Sequence, residues 1–335
     1  TPVSGTASLK QAIVNKFKID NGIEYQTNEV VVSVGGKQSI FNLCLAILDH
    51  GDEVIIPAPY WVSYTDIVNL TGASPKVIEC DIKQSYKISP EQLEQSINKK
   101  TKLVFLNSPS NPTGAVYSKE ELKAIASILL KNPHVYIGTD DIYEHINLSG
   151  KPFHNILMVE PTLKDRVIVL NGVSKAYSMT GWRIGFAAGP QKIISAMSKL
   201  QSQSTSNPTS ISQVAAEAAL NGGKDCIIPM VKAFKERHNF VLDKINAVDG
   251  LNCIPAEGAF YMFIDANEAI KKLFVAKKIA EKSDLLFTEY LIENQGIAVV
   301  PGSAFGLQGY FRISFATSMN NLINAMKRLK KAVEI

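Results

Sequence analysis

Short apolar runs alternate with amphipathic segments along the first 210 residues. The runs are rich in Val and Ile, as buried strands are. The predicted strands are 29–34, 53–56, 76–80, 102–106, 135–139, 167–170 and 183–189, and the predicted helices are 9–18, 40–48, one that begins at 90, 119–131 and 190–200. Strands that alternate with helices predict an α/β fold, with a mostly parallel sheet between helices and a functional site at the carboxyl ends of the strands.

The rest of the chain has a mixed pattern that predicts a second, smaller α+β domain. A polar run from Gln201 to Ser210 predicts a connecting loop, and a long helix over 229–245 predicts a spacer between domains. The later predicted elements are strands 260–264, 297–300 and 310–316, a helix over 275–294, and a basic terminal helix capped by Ser318. We therefore expect a large domain over 1–230 and a small domain over 231–335.

Composition and charge limit the classes of function. The 335 residues carry a net charge of +4, and the lysines are scattered among acids rather than grouped in blocks. We therefore expect no nucleic-acid partner and no membrane partner, and no apolar run approaches transmembrane length. The four cysteines form no CxxC pair and lie in apolar surroundings, which favours core roles in a reducing compartment such as the cytoplasm.

Two stretches after predicted strands offer positive charge. Gly35, Gly36 and Lys37 lie between a strand and a helix, where backbone N–H groups and the helix dipole can bind an anion. The spacing fits neither a nucleotide P-loop nor a dinucleotide fingerprint, so a plain tight turn is the alternative. In the second stretch, burial at a strand end could make Lys175 a neutral nucleophile, and Arg183 could receive a phosphate. The alternative there is a solvated surface loop.

Further candidates follow other strands. Trp61 suits either core packing or a platform for a flat cofactor, and a proline-flanked turn can hold the Asn111 amide in one place. An arginine at position 312, within an apolar strand, is costly unless it meets an anion. Acids and a histidine over 140–145 invite a metal hypothesis. We expect no metal there, because strand alternation splits these side chains between two faces and no second ligand cluster exists.

Taken together, these motifs resemble the fold-type-I pyridoxal-phosphate enzymes, and within them the class I aminotransferases, over essentially the whole chain. The motifs that carry the resemblance are Gly35-Gly36-Lys37, Asn111-Pro112-Thr113-Gly114, Asp140-x-x-Tyr143, Ser174-Lys175 to Arg183-Ile184-Gly185, and Phe311-Arg312-Ile313-Ser314, in the order of the family. The amino-acid sequence of several segments is most similar to that of the bacterial aspartate aminotransferase branch, some of whose members also use prephenate.

The resemblance implies a role for each catalytic candidate. Lys175 would bond covalently to the aldehyde of pyridoxal 5'-phosphate and later move the proton at the substrate Cα. Asp140 would keep the pyridine nitrogen protonated, which makes the ring an electron sink. Tyr143 and Asn111 would hydrogen-bond the phenolic oxygen of the cofactor, and Trp61 would stack on its ring. Trp61 and Asn111 would also face the substrate.

The same resemblance implies how the anionic groups are bound. Arg183, Ser174 and the backbone of Gly36 and Lys37 would bind the cofactor phosphate, and Arg312 would take the substrate α-carboxylate as a bidentate pair. Binding across the two domains would then close the small domain over the substrate. Lys37 would recognise the side-chain carboxylate of a dicarboxylic substrate; the alternative for Lys37 is a phosphate or solvent contact.

Two departures from the family pattern bear on these expectations. Gly172 stands where many relatives have a phosphate-binding serine, three residues before the lysine. The family also has an N-terminal segment ahead of the position of Thr1, which covers the substrate and reaches the neighbouring subunit. We therefore expect the N-terminal part of the small domain to be absent from this chain.

The expected function is transamination between L-aspartate and 2-oxoglutarate, giving oxaloacetate and L-glutamate, by a homodimer with sites at its interface. The loop from Gln201 to Ser210 is a candidate for contributing across that interface. Alternatives are an aminotransferase for aromatic amino acids, alanine or a prephenate-type substrate, a pyridoxal-phosphate lyase or decarboxylase, and a cofactor-sensing regulatory domain.

Overall fold

The protein is described from a computed structural model that covers residues 1–334. A seven-stranded sheet has the strand order β1-β7-β6-β5-β4-β2-β3. Its strands are β1 Val30–Ser33, β2 Glu53–Ala58, β3 Ser74–Glu79, β4 Thr101–Asn107, β5 Tyr136–Asp140, β6 Val167–Gly172 and β7 Gly185–Ala188. Neighbours from β6 to β3 pair in parallel, and β7 is antiparallel to both of its neighbours. The predicted, mostly parallel sheet is confirmed.

Helices cover both faces of this sheet. The α-helices up to residue 221 are α1 Ala7–Lys16, α2 Gly36–Ile47, α3 Ser63–Leu70, α4 Pro90–Ser96, α5 Lys119–Leu130, α6 Ile156–Val159, α7 Gln191–Ser202 and α8 Ser210–Asn221. Side chains alternate along the strands, so one set packs with α2, α3 and α7 and the other with α1, α5 and α8. Capping boxes at Ser89 and Ser118 begin α4 and α5, as the sequence predicts.

A separate antiparallel sheet, with the strand order β8-β10-β9, forms the centre of the C-terminal part. It consists of β8 Tyr261–Asp265, β9 Val300–Pro301 and β10 Tyr310–Ser314. The accompanying helices are α9 Ile227–Asn246, α10 Asn267–Val275, α11 Asp284–Gln295 and α12 Met319–Val333. These elements share a second hydrophobic cluster with side chains such as Ile146 and Leu148, which precede residue 230. The domain boundary at residue 230 stays a prediction.

Several local predictions are wrong. The helix predicted over 275–294 is wrong in its first part, because Val275 ends α10, the chain turns at Lys277 with a positive φ of 57°, and Ser283 caps a new helix that begins at Asp284. The predicted 201–210 loop is helical at both ends: Gln201, which is buried and accepts a hydrogen bond from Ser33, belongs to α7, and Ser210 begins α8. Helices α3 and α8 were not predicted. Cys226 is exposed rather than held in apolar surroundings, whereas the other cysteines are buried.

Within residues 1–334, no helix has both the length and the apolar character that crossing a membrane requires.

Candidate active site

The carboxyl ends of the parallel strands meet at one edge of the large sheet. Because β7 is antiparallel, its beginning lies at the same edge, as the pairing of Gly185 with Ser33 and with Gly172 shows. A cavity of about 450 Å³ opens there, and β9 and β10 of the small sheet contribute to its wall. Every site residue predicted from the sequence lines this cavity: Gly36, Lys37, Trp61, Asn111, Asp140, Tyr143, Ser174, Lys175, Arg183 and Arg312.

One end of the cavity is suited to an anion. Gly35 has a φ of 84° and precedes α2, whose first N–H groups have no carbonyl of their own helix to bind. A Cβ at Gly35 would collide with the guanidinium of Arg183, so the bare backbone lets that charge reach the helix N-terminus. Arg183 lies ahead of β7 rather than within it as predicted; its φ is 55°, and its Nη1 donates to the carbonyl of Thr180 at 3.0 Å.

The glycine that departs from the family pattern has a steric cause in this chain. A Cβ at Gly172 would lie 2.9 Å from the carbonyl oxygen of Ile184 and 3.0 Å from the Cα of Gly185. Such distances leave no room for a side chain unless the backbone of β7 shifts. Ser174 is buried and lines the cavity, so it remains available where the hydroxyl at position 172 is missing.

Lys175 is half-buried in the middle of the cavity. Its Nζ lies 5.8 Å from the ring centroid of Tyr143 and 5.7 Å from that of Phe260. Burial lowers the pKa of this amine, and the charges of Arg183 and Arg312 lower the pKa further, against the opposing effect of Asp140. A lysine with a lowered pKa spends more time as the neutral amine, which is the nucleophilic and basic form.

Asp140 is a buried carboxylate held by two donors. The hydroxyl of Tyr64 donates to its Oδ2 at 2.7 Å, and the backbone N–H of Ile142 donates to its Oδ1 at 3.3 Å. Burial raises the pKa of Asp140, while Tyr64, the Ile142 N–H and Lys175 oppose that rise. Tyr64 was not among the predicted site residues. Its place three residues after Trp61 was visible, but nothing local indicated an Asp partner 76 positions away.

Hydrogen bonds join the two sheets across the cavity. Arg312 on β10 donates through Nη1 to Oδ1 of Asn111 at 2.9 Å, and the hydroxyls of Tyr143 and Tyr261 lie 3.1 Å apart. The guanidinium of Arg312 also lies over the ring of Tyr261, at 4.4 Å, and its buried Nε has no partner. Arg312 is half-buried and lines the cavity without an acidic partner there, so its guanidinium is suited to binding an anion from the cavity.

The side chain of Lys37 lies over an aromatic ring rather than beside an acid. Its Nζ is 5.1 Å from the ring centroid of Trp61, an attractive but weak contact for an ammonium group. Trp61 in turn meets Tyr64 edge-to-face, with centroids 5.5 Å apart. The indole is therefore part of the cavity wall and not only of the core.

The stretch 140–145 divides between two environments, but a turn divides it and not the strand alternation that was expected, because β5 ends at Asp140. Asp140 and Tyr143 line the cavity, whereas the ligand atoms of Glu144 and His145 gather with Asp20 within 4.8 Å of one another. Lys16 pairs with Glu144, and Lys224 pairs with Asp20 at 2.5 Å, so cations of the protein already balance these acids. The expectation that this stretch binds no metal stays a prediction.

Comparisons with known proteins agree with this geometry. The sequence profile of the family described as Aminotransferase class I and II matches residues 1–329. The chain is 56% identical to the aspartate/prephenate aminotransferase of Nitrosomonas europaea over 329 residues, which cover 98% of this chain and 83% of that relative.

Solved structures of aspartate aminotransferases have the same fold as this chain. The crystal structure of the aspartate aminotransferase from Rhizobium meliloti superposes with a TM-score of 0.94 at 45% identity, covering 100% of this chain and 83% of that one. The aspartate aminotransferase from Thermus thermophilus with maleate gives 0.91 at 37% identity, covering 99% and 83%. These likenesses confirm the predicted fold and the bacterial aspartate aminotransferase branch. The chain belongs to the class I and II aminotransferase family, and it is an aminotransferase.

Proposed function

We propose that the protein is a pyridoxal-phosphate-dependent aminotransferase that converts L-aspartate and 2-oxoglutarate to oxaloacetate and L-glutamate. The charge of the cavity carries this proposal. Among its lining residues, the cations Lys37, Lys175, Arg183 and Arg312 face a single carboxylate, Asp140. Lys175 and Arg312 are half-buried, and half-buried cations are costly unless anions bind beside them, while Lys37 and Arg183 are exposed and can attract anions from solvent. One phosphate and the two carboxylates of a dicarboxylic amino acid supply the required negative charge.

The residues present fit the cofactor at both of its ends. Arg183 and the first turn of α2 would hold the phosphate, in a cradle that a Cβ at Gly35 would fill. Asp140, supported by Tyr64, would hold the proton on the ring nitrogen. When bound, pyridoxal phosphate supplies an aldehyde that takes up amino groups and a ring that withdraws electrons.

Other cavity residues fit the middle of the cofactor. Lys175 would bond to the aldehyde, and Tyr143 and Asn111 would donate hydrogen bonds to the phenolic oxygen. Trp61 offers a flat apolar face, and Ser174 offers a hydroxyl near the phosphate end. These roles are the ones that the family resemblance implies, and the common cavity supports them.

Lys175 is the residue that we expect to move the proton. Its lowered pKa increases the share of neutral Nζ, the form that would take the proton from the Cα of the substrate. Burial around it limits access of water to that carbon. A protonated ring nitrogen bound beside Asp140 would favour the ionised carboxylate, because an opposite charge offsets the effect of burial on its pKa.

Recognition of a dicarboxylic substrate needs two separate cations. Arg312 lines the cavity, and its guanidinium can bind the α-carboxylate with two parallel hydrogen bonds. Lys37 lies on α2, which packs against the large sheet. It has no acidic partner among the cavity residues, so it is available for the second carboxylate. The Thermus thermophilus enzyme with maleate, which is itself a dicarboxylate, supports this assignment.

A second candidate substrate is prephenate, which also carries two carboxylates but on a larger, partly apolar body. The name of the Nitrosomonas europaea relative favours this addition. The apolar side chains of Val62, Val300 and Phe305 in the cavity wall provide contacts for a ring.

The test is a half-reaction with the amino donor alone. Adding aspartate to the purified holoenzyme should convert the absorption of the aldehyde form of the cofactor to that of the amine form. Conversion without an acceptor excludes a lyase, a decarboxylase or a regulatory domain, and a screen with aspartate, alanine, phenylalanine and the amino product of prephenate identifies the donor. Protein that binds no cofactor, even when it is added, would refute the whole proposal.

We also propose a homodimer located in the cytoplasm. Large apolar side chains are exposed at Trp182, Ile211 and Val214, by 45%, 73% and 64%, and Trp182 directly precedes the cavity residue Arg183. A second copy that covers them would lie next to the cavity, as the family resemblance implies. Light scattering on the purified protein tests the dimer, with a monomer at micromolar concentration as the contradicting result.

A further inference from the structure

A buried network of charged side chains lies behind the cavity, and the proposed mechanism does not use it. Lys16, at the end of α1, is 7% exposed, and Glu144, after β5, is 5% exposed. The two form an ion pair, and both are also bonded to Asn21. Removing such charges from water costs free energy, so we expect this buried pair to have a specific structural role.

Glu144 is bonded on three sides. In addition to Lys16, it accepts from Nδ2 of Asn21 at 2.8 Å and from Nδ2 of Asn171 at 2.7 Å. Burial acts to raise the pKa of Glu144, but the charges of Lys16 and His145 and the hydrogen bond from Asn21 outweigh it and lower that pKa. The carboxylate is therefore ionised and fixed in one orientation.

Two neighbours of Glu144 belong to the active site. Tyr143, the preceding residue, lines the cavity, and the two consecutive side chains reach opposite environments. Asn171 also lines the cavity, near the end of β6, and its Oδ1 accepts from the N–H of Gly172 at 2.7 Å. The chain continues from Gly172 to Lys175. Glu144 thus joins the turn that carries Tyr143 to the strand end that carries Lys175.

We propose that Glu144 is a positioning residue of the aminotransferase site, with Lys16 as its buried counter-ion. The proposal rests on the proposed function. Through Asn171 and its own backbone, Glu144 fixes the spacing between the ends of β5 and β6, where the residues assigned to the cofactor ring and its aldehyde lie. The groups assigned to the substrate carboxylates, Lys37 and Arg312, lie on α2 and β10, outside this connection.

That arrangement predicts a selective effect. Loosening the ends of β5 and β6 should weaken cofactor binding and slow the proton transfer, but it should leave the binding of the amino acid unchanged. A small displacement of catalytic groups costs up to roughly 100-fold in rate, so a partial loss of support should cost about tenfold.

The experiment compares wild type with Glu144→Gln, Lys16→Met and the double variant. For each protein, the dissociation constant of pyridoxal phosphate is measured by absorbance titration of the cofactor-free protein. The kcat and KM for aspartate are then measured with saturating cofactor. Glu144→Gln is expected to raise the cofactor dissociation constant and to lower kcat by about tenfold each, with the KM for aspartate within about twofold. The double variant should lose less than the product of the two single losses, because the residues act as a pair.

Lys87→Met is the matched control. It removes the cation of another partly buried pair, in which Lys87 Nζ lies 2.6 Å from Glu121, and Lys87 does not line the active-site cavity. This variant is expected to lower the thermal midpoint without changing the cofactor dissociation constant or kcat. If Glu144→Gln behaves in the same way, its role is structural and the proposal is overturned.

Two further outcomes are distinguishable. Wild type without cofactor binding or transamination would refute the proposed function itself, whereas an active wild type and an equally active Glu144→Gln would refute only the role of Glu144. If Glu144→Gln does not fold, Glu144→Asp replaces it, because it keeps the charge and shortens the reach. The same loss of kcat at constant KM is then expected, and a kcat within twofold of wild type overturns the proposal.

Discussion

Replacing Tyr64 with phenylalanine removes one hydroxyl from the support of Asp140 and leaves the packing intact. The ring of Tyr64 stacks on Phe105 with centroids 4.7 Å apart and an interplanar angle of 7°, and phenylalanine can keep that contact. What is lost is the 2.7 Å hydrogen bond to Oδ2 of Asp140. The 3.3 Å bond from the Ile142 N–H is then the remaining hydrogen bond to this carboxylate.

A hydrogen bond to a charged group contributes about 1.5–3 kcal/mol, which corresponds to roughly 10- to 150-fold in an equilibrium or a rate. Because Tyr64 opposes the rise of the Asp140 pKa on burial, its loss favours the protonated carboxyl. A neutral Asp140 holds the cofactor ring nitrogen less well. We therefore expect kcat of Tyr64→Phe to fall by about tenfold or more, and the acidic limb of its pH profile to move to higher pH.

The assay is kcat for aspartate between pH 5.5 and 9 at saturating cofactor, with Tyr117→Phe as control. Tyr117 is also buried, and its hydroxyl accepts from the N–H of Ile88 at 3.1 Å, outside the cavity. The control should lose stability and keep both kcat and its pH profile. A Tyr64→Phe enzyme with wild-type kcat and an unmoved acidic limb would refute the assigned role of Tyr64.

Other predictions follow from single contacts. Lys37→Ala should raise the KM for aspartate by about tenfold or more while the KM for alanine stays within about twofold; equal changes would remove its role in side-chain recognition. Gly172→Ser should lower the free energy of unfolding by about 1–3 kcal/mol in urea titrations, because its Cβ meets the Ile184 carbonyl; an unchanged midpoint would contradict this. Burial and then Glu144 raise the pKa of Asp141 from 3.8 to about 7, so the folded state holds its proton where the unfolded state does not. Stability should therefore fall as pH rises from about 4 to 7, and Asp141→Asn should reduce that slope in thermal melts from pH 4.5 to 7.5.

The large sheet was predictable because six of its seven strands are mostly buried, β3 being the exception. Val30 to Ser33 and Val167 to Gly172 are buried at every position, so a continuous apolar run marks each strand without help from tertiary context. Helix α8 was missed for the opposite reason. Ile211 and Val214 point outward, so the apolar residues of this helix do not form the single core-facing stripe that indicates an amphipathic helix.

The site was predictable to the extent that its residues occur in recognisable local motifs. Lys175, Asp140 and Arg312 each stand in a motif of the family that the sequence resembles. The parallel sheet brings the first two motifs together at one edge, and β10 of the small sheet places Arg312 in the same cavity. The supporting residues were not predictable in this way. The partner of Glu144 on the strand that leads to Lys175 is Asn171, 27 positions away, and a buried bond between such residues has no signature in either local sequence.

The electrostatics of the cavity also couple substrate binding to the base. The pKa of Lys175 is lowered first by burial and then by the charges of Arg183 and Arg312. A carboxylate bound to Arg312 neutralises one of those charges, so Lys175 becomes a stronger base when the substrate is in place. Without substrate the same amine is more often neutral, which suits attack on an aldehyde. In the proposed mechanism, Arg312 would therefore both bind the substrate carboxylate and adjust the proton affinity of Lys175 for each stage of the reaction.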